Sequence, residues 1–217
     1  MLNDIREAVL RGDLDAAKEK TARALADGAA PGEILNDALI SAMDVVGEEY
    51  ESGIRFIPEM LISAEAMKSA MTVLRPVLAE AGIEPRGRIV LGTVEGDLHD
   101  IGKDLVGMML EGAGFEVIDL GVEVEAQRFV DAVREHRPNL VGMSALLTTT
   151  MVYMPEVIDA LKEAGLRDSI RVIIGGAPVT AEYADEIGAD GYAEDAAGAV
   201  RLATRLVGAR GSGEGEE

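Results

Sequence analysis

The sequence predicts an α + α/β protein, with an N-terminal helical bundle followed by a doubly wound, five-stranded parallel sheet. Three observations carry this. The first half places apolar side chains at steps of three and four, helix after helix. From Gly87 onward, short apolar runs alternate with helical stretches, which implies parallel strands joined by right-handed crossovers. The chain has 217 residues, 48% of them hydrophobic, enough for one or two units with real cores.

The elements follow in order. Residues 2–11 form a helix. Asp13 N-caps a second, with Leu14, Ala17, Thr21 and Leu25 on one face, ending near Gly28. A third starts near Pro31, a residue suited to the first helical turn, carries Leu35, Leu39, Ala42, Val46 and Tyr50, and stops at Ser52-Gly53. A fourth starts at Pro58 with Met60, Ala64, Met67, Met71, Leu74 and Leu78 inward; Pro76 falls inside it and is expected to kink or locally unpair it. Residues 1–82 are thus a helical domain and 81–87 an interdomain linker. Residues 88–208 form the α/β domain, of the flavodoxin/Rossmann-like kind. Its strands are expected at Ile89–Val94, Val117–Leu120, Leu140–Ser144, Val172–Ile174 and Gly191–Ala193, its helices at roughly 101–113, 125–136, 151–164, 180–187 and 196–206. The Gly-rich, acidic tail 209–217 is expected to be disordered.

Composition excludes several classes of function. The formal charge is −20, which argues against nucleic acid and against anionic membranes as partners. Cysteine is absent, so no disulfide, thiolate metal site or Cys nucleophile exists. Aromatics are 3% with no Trp, too few for a base-stacking platform. No long apolar run is present and the N-terminus is charged, so a cytoplasmic location is expected.

Ligands of such a sheet bind beyond the carboxyl ends of the strands, where strand order reverses. The loop after the first strand, Glu95-Gly-Asp-Leu-His-Asp-Ile-Gly-Lys103, holds His99, one of only two histidines, flanked by Asp97 and Asp100. The other, His136, reads as a surface residue at a helix C-terminus. The loop after the third strand, residues 144–150, is dense in hydroxyls, and the one after the fourth is Gly175-Gly-Ala-Pro178. A histidine with a carboxylate two residues away suggests a metal ligand oriented by a second group. One histidine is too few for zinc. A metal already held by a macrocycle needs only one axial ligand, which points to haem or a corrin. The polar, glycine-lined cleft favours a ligand with a long polar arm.

The order Asp97-Leu-His99-Asp-Ile-Gly102, Ser144-Ala-Leu146, Gly175-Gly176 resembles the cobalamin-binding signature Asp-x-His-x-x-Gly, Ser-x-Leu, Gly-Gly. The stretch Met43–Pro58 resembles the helical cap that precedes this domain in methionine synthase and in methylamine and methanol corrinoid proteins, with Tyr50 where methionine synthase has Phe. The resemblance implies a cobalamin or related corrinoid with His99 as lower axial ligand of the cobalt and Asp97 accepting the other ring N–H. It places Thr150 against Asp97, and Ser144 and Thr148 on the nucleotide tail. Gly175 and Gly176 open the path of that tail, and Ala196 is a further tail contact. Gly96, Asp100, Ile101, Gly102 and Leu146 complete the cofactor loops. Tyr50 and Ile57 shield the upper corrin face, with Asn36 nearby.

The implied activity is that of a corrinoid methyl carrier in one-carbon metabolism, cycling between Co(I) and methyl-Co(III), with His99, Asp97 and Thr150 as its proton relay. It accepts methyl from a substrate:corrinoid methyltransferase and passes it to a corrinoid:acceptor methyltransferase, with a reductive activase as a third partner. Whether the chain itself counts as an enzyme is left open. Two other readings stay open: the cobalamin-binding subunit of a radical mutase, against which the helices at 1–82 count, and a cobalamin sensor, against which the absence of a basic recognition helix counts.

Overall fold

The computed structural model describes residues 1–211, and they divide into two compact units. One comprises Met1–Pro85 with Met108–Gly114; the other comprises Arg86–Gly107 and the chain from Phe115 on. The sequence places all of 88–208 in the second unit; Met108–Gly114 instead groups with the helical one.

The first unit is helical: α1 (Leu2–Leu10), α2 (Leu14–Ala26), α3 (Pro31–Glu33), a π-helical stretch (Ile34–Ile40), α4 (Ser41–Glu51) and α5 (Ile57–Glu80). Asp13 caps α2, its Oδ1 accepting the Ala16 N–H at 3.0 Å. Gly12 turns the chain between α1 and α2 at φ +68°, where a Cβ would lie 2.0 Å from Ile62 Cγ2. The core joins Ile5 and Val9 of α1, Ala17 and Ala24 of α2, Leu39, Val46, and Met60, Met67 and Leu74 of α5.

Three details depart from the sequence reading. Leu14 is 40% exposed and Ala24 is buried instead, because Ala17, Thr21 and Ala24 turn inward as one narrow stripe. Met71 is only half-buried. The expected single helix from Pro31 passes through the π-helical stretch, which buries Ile34, Leu35, Ala38, Leu39 and Ile40, a wider face than an α-helical stripe covers. Helix α5 continues through Pro76 without ending. Pro76 is on the exposed side, where water can satisfy the carbonyl that loses its amide partner.

The second unit is a five-stranded sheet in the order β2-β1-β3-β4-β5, every pair parallel. The strands are β1 (Arg88–Thr93), β2 (Glu116–Asp119), β3 (Leu140–Ser144), β4 (Arg171–Gly175) and β5 (Gly191–Ala193). The helices are α6 (Ile101–Gly112), of which only the part up to Gly107 belongs to this unit, α7 (Ala126–His136), α8 (Tyr153–Glu163), α9 (Ala181–Ile187) and α10 (Ala196–Gly211). Val90, Val141 and Val172 of neighbouring strands share one core with Phe129, Ile158 and Leu161 of the flanking helices. Gly92 is required by that packing: a Cβ there would lie 2.8 Å from the Phe129 ring. Helix α10 runs to Gly211, so residues expected in the tail extend the helix; the expected disorder of 212–217 lies outside the described residues.

Register positions the rim. Thr93 pairs with Ser144, Ser144 with Gly175, and Gly175 with Ala193. The ends of four strands are therefore level, and the order reverses between β1 and β3, where a crevice opens in this topology. No described helix is long and apolar enough to cross a membrane.

Candidate cofactor site

The chain leaves β1 at Thr93 and turns at Gly96, whose φ of +74° favours glycine. The turn is closed by the Asp97 N–H donating to Val94 O at 3.2 Å. Asp97 then points inward and is wholly buried. Its Oδ1 accepts the His99 backbone N–H at 3.1 Å and contacts His99 Nδ1 at 2.7 Å. Its Oδ2 accepts the Leu146 N–H at 2.8 Å and the Thr150 hydroxyl at 2.6 Å. One carboxylate thus ties the loop after β1 to the loop after β3, across the reversal of strand order.

Burial alone would raise the Asp97 pKa. The hydrogen bonds from Thr150, from the Leu146 amide and from the His99 ring and backbone outweigh it and hold the carboxyl well below the usual carboxylate range. An ionised carboxylate only accepts, so the neutral imidazole must carry its proton on Nδ1. The Nε2 lone pair is left available on a side chain that is 50% exposed. That is the arrangement of an oriented metal ligand.

The loop backbone is braced as well. The Thr93 hydroxyl donates to His99 O at 3.0 Å, and the Glu123 N–H donates to Asp97 O at 3.0 Å. Glu123 is one of two non-glycine residues with positive φ among the described residues, at +51°.

The other expected residues are placed as follows. Ser144 is half-buried at the end of β3 and Thr148 is exposed in the following loop. A Cβ on Gly175 would lie 2.9 Å from Ala193 O, and one on Gly176, at φ +126°, would lie 1.8 Å from Ala145 O. These glycines are demanded by the close approach of three strand ends, and they leave a floor without side chains. Asp100, Ile101 and Gly102 are exposed at the start of α6, with Ile101 84% exposed. Leu146 is also exposed, and Ala196 is buried at the first residue of α10. Asn36, Tyr50 and Ile57 belong to the helical unit: Asn36 donates its amide to Gly32 O at 2.9 Å, Tyr50 is half-buried in α4 and Ile57 is exposed at the start of α5.

Sequence reasoning gave no role to Glu123 or to Lys103, whose ammonium is buried between Asp104 and Asp119, nor to the backbone amide of Leu146. The lysine offered one signal, a lone cation in an acidic loop; a backbone donor offers none.

A corrin fits this donor set. No group of three or more His, Asp or Glu side chains among the described residues could hold a metal unaided. A metal already bound by a macrocycle needs only the one nitrogen that Asp97 presents. Exposed apolar side chains, Leu98, Ile101, Leu146 and Leu147, stand on the same two loops as His99 and Thr150. They suit a flat, largely apolar ring, and the glycine floor suits a polar arm.

Fold and site together define a doubly wound domain with one histidine oriented by a buried carboxylate at the carboxyl rim of its sheet. Comparison with known proteins agrees. Residues 87–201 match the B12 binding domain family, and residues 1–75 match a second B12 binding domain family. A corrinoid protein of Desulfitobacterium hafniense (strain Y51) is 43% identical over 211 residues, 96% of this chain and 98% of its own. Trimethylamine corrinoid protein 1 of Methanosarcina acetivorans is 44% identical over 193 residues, 88% of this chain and 89% of its own. The solved methanol:cobalamin methyltransferase complex of Methanosarcina barkeri superposes with a TM-score of 0.86 at 32% identity, over 95% of this chain and 79% of the matched chain. The chain belongs to the B12-binding family of corrinoid proteins, and its cofactor is a corrinoid.

Proposed function

We propose that this chain is the methyl-carrying corrinoid protein of a methyltransferase system, in which His99 Nε2 would hold the cobalt. The observation that carries the reading is Asp97: a buried carboxylate held ionised by Thr150 and Leu146, fixing the His99 proton on Nδ1. Relatives named for trimethylamine, and a structural neighbour in a methanol:cobalamin methyltransferase complex, support methyltransferases as partners. The finer partner set is an enzyme that adds the methyl, a second that removes it, and a reductive activase.

The bound corrinoid supplies a cobalt that takes up a methyl group and gives it away. The protein's own work is binding and proton holding. His99 would hold the metal through Nε2, the ring nitrogen that Asp97 leaves free. Asp97, ionised, accepts the Nδ1–H of His99 and so keeps that proton on the imidazole and the ring aimed. Thr150 and the Leu146 amide keep Asp97 ionised and fixed. Ser144 and Thr148 would hold the corrinoid's polar arm, for which Gly175-Gly176 leaves room. Asn36, Tyr50 and Ile57 are assigned to the cap on the resemblance of residues 43–58.

The test is methyl uptake. Fully reduced, corrinoid-loaded protein should take up about one labelled methyl group per chain from methyl iodide, as a single axial site implies. Loaded, reduced protein that takes up no label overturns the carrier reading.

A further inference from the structure

We infer that Lys103 is a positioning residue for the His99 loop, acting through Asp119 and the left-handed turn at Glu123. Lys103 is the third residue of α6, and its side chain is 1% exposed. A buried ammonium is tolerated only when paired. Its Nζ lies 2.5 Å from Asp104 Oδ1 and 2.5 Å from Asp119 Oδ2. Burial alone would lower its pKa, but the two carboxylates hold it above the usual lysine value. Both carboxylates are half-exposed, so water can satisfy them without the lysine. The lysine is the member that depends on the pairing, which ties the first turn of α6 to the end of β2.

From Asp119 the connection runs to the cofactor loop. Asp119 Oδ1 accepts the Gly121 N–H at 2.9 Å. Gly121 O accepts the Thr93 N–H at 3.0 Å, and Thr93 O accepts the Val124 N–H at 3.0 Å. Between these anchors Glu123 is forced to φ +51° and delivers its N–H to Asp97 O at 3.0 Å. A non-glycine residue stays in that conformation only where its surroundings over-determine it. The Asp97 carbonyl is thereby fixed, and with it the direction of the carboxylate that aims His99. Lys103 touches neither Asp97 nor His99; it holds the turn that holds them. The inference rests on the assignment of His99 as cobalt ligand.

The test uses full-length, corrinoid-loaded protein in its Co(II) form, with Lys103→Met and Asp119→Asn as separate variants and as a pair. Two readouts are taken: the fraction of cobalt showing histidine nitrogen coupling in spin resonance, and amide hydrogen exchange at Glu123. Each single variant should lower the histidine-bound fraction several-fold and speed exchange at Glu123 about ten-fold or more, while core amides of β3 stay protected. The pair should go no further than either single, because both remove one link. An unchanged histidine-bound fraction in both variants overturns the inference, whatever exchange does. If the unaltered protein shows no histidine coupling, the His99 assignment fails, and exchange at Glu123 alone then decides the brace: faster exchange supports it, and unchanged exchange overturns it.

Discussion

At Asp97, all four acceptor positions of one carboxylate are used, two on each oxygen. Asparagine cannot reproduce this, because its NH2 would face two donors. Asp97→Asn should therefore cost about 2–3 kcal/mol in urea unfolding at neutral pH, the scale of a lost charge-assisted hydrogen bond plus an unmatched donor. The folded-state pKa of Asp97 is lowered, so its stabilisation is fully present above about pH 4, the unfolded value, and is lost as pH falls toward the folded one. Unfolding curves of the two proteins should converge below about pH 4; a constant gap would contradict the ionised assignment. Asp97→Asn should also raise the Co(II)/Co(I) potential of the loaded protein, because a less basic histidine stabilises Co(II) less, and His99→Gly should raise it further. Potentiometric titration checks both, and an unchanged potential in both variants would remove His99 from the metal. Asp97 and His99 were legible because residue type and spacing name them, whereas Thr150 was picked out of a hydroxyl-dense loop only by the resemblance to cobalamin-binding domains. The Leu146 amide was not legible, since every residue but proline carries one. Glu123 was not, since its conformation is imposed by its anchors.

Among the elements, the strand ends are level at Thr93, Ser144, Gly175 and Ala193, and this brings the glycine loop against β3. Gly176→Ala should be strongly destabilising, by about 3 kcal/mol or more, because its Cβ would meet Ala145 O at 1.8 Å in a conformation that L residues avoid. Thermal unfolding measures the loss; a shift of only a degree or two would mean the loops do not approach so closely. β3 was readable because a parallel strand buried on both faces is a short continuous apolar run, and it falls at the expected residues; β5 does too, although its three residues are only half-buried. The π-helical stretch at Ile34–Ile40 was not readable, because Leu35 and Leu39 fit an α-helical stripe equally well. The far end of α10 was missed because Gly208 reads as a stop, yet one glycine costs a helix only about 1 kcal/mol.

For the whole molecule, alternating strands and helices announced the α/β unit, while the grouping of Met108–Gly114 with the helical unit left no mark in the sequence, since it follows from tertiary contact alone. The charge of −20 and the absence of cysteine narrowed the chemistry before any motif was weighed. The assignment of Tyr50 and Ile57 to the cap predicts that Tyr50→Ala and Ile57→Ala make the methylated, loaded protein more sensitive to light, by letting the methyl radical escape recombination. Photolysis rates equal to those of the unaltered protein would remove both residues from the cap. The central claim is that Asp97 presents His99 Nε2 to cobalt. Spin resonance of the Co(II) form, prepared with nitrogen-15 histidine, tests it most directly. The account predicts coupling to one histidine nitrogen that changes with the label and vanishes in His99→Gly; coupling to the corrinoid's own benzimidazole nitrogen, unmoved by the label, would contradict it.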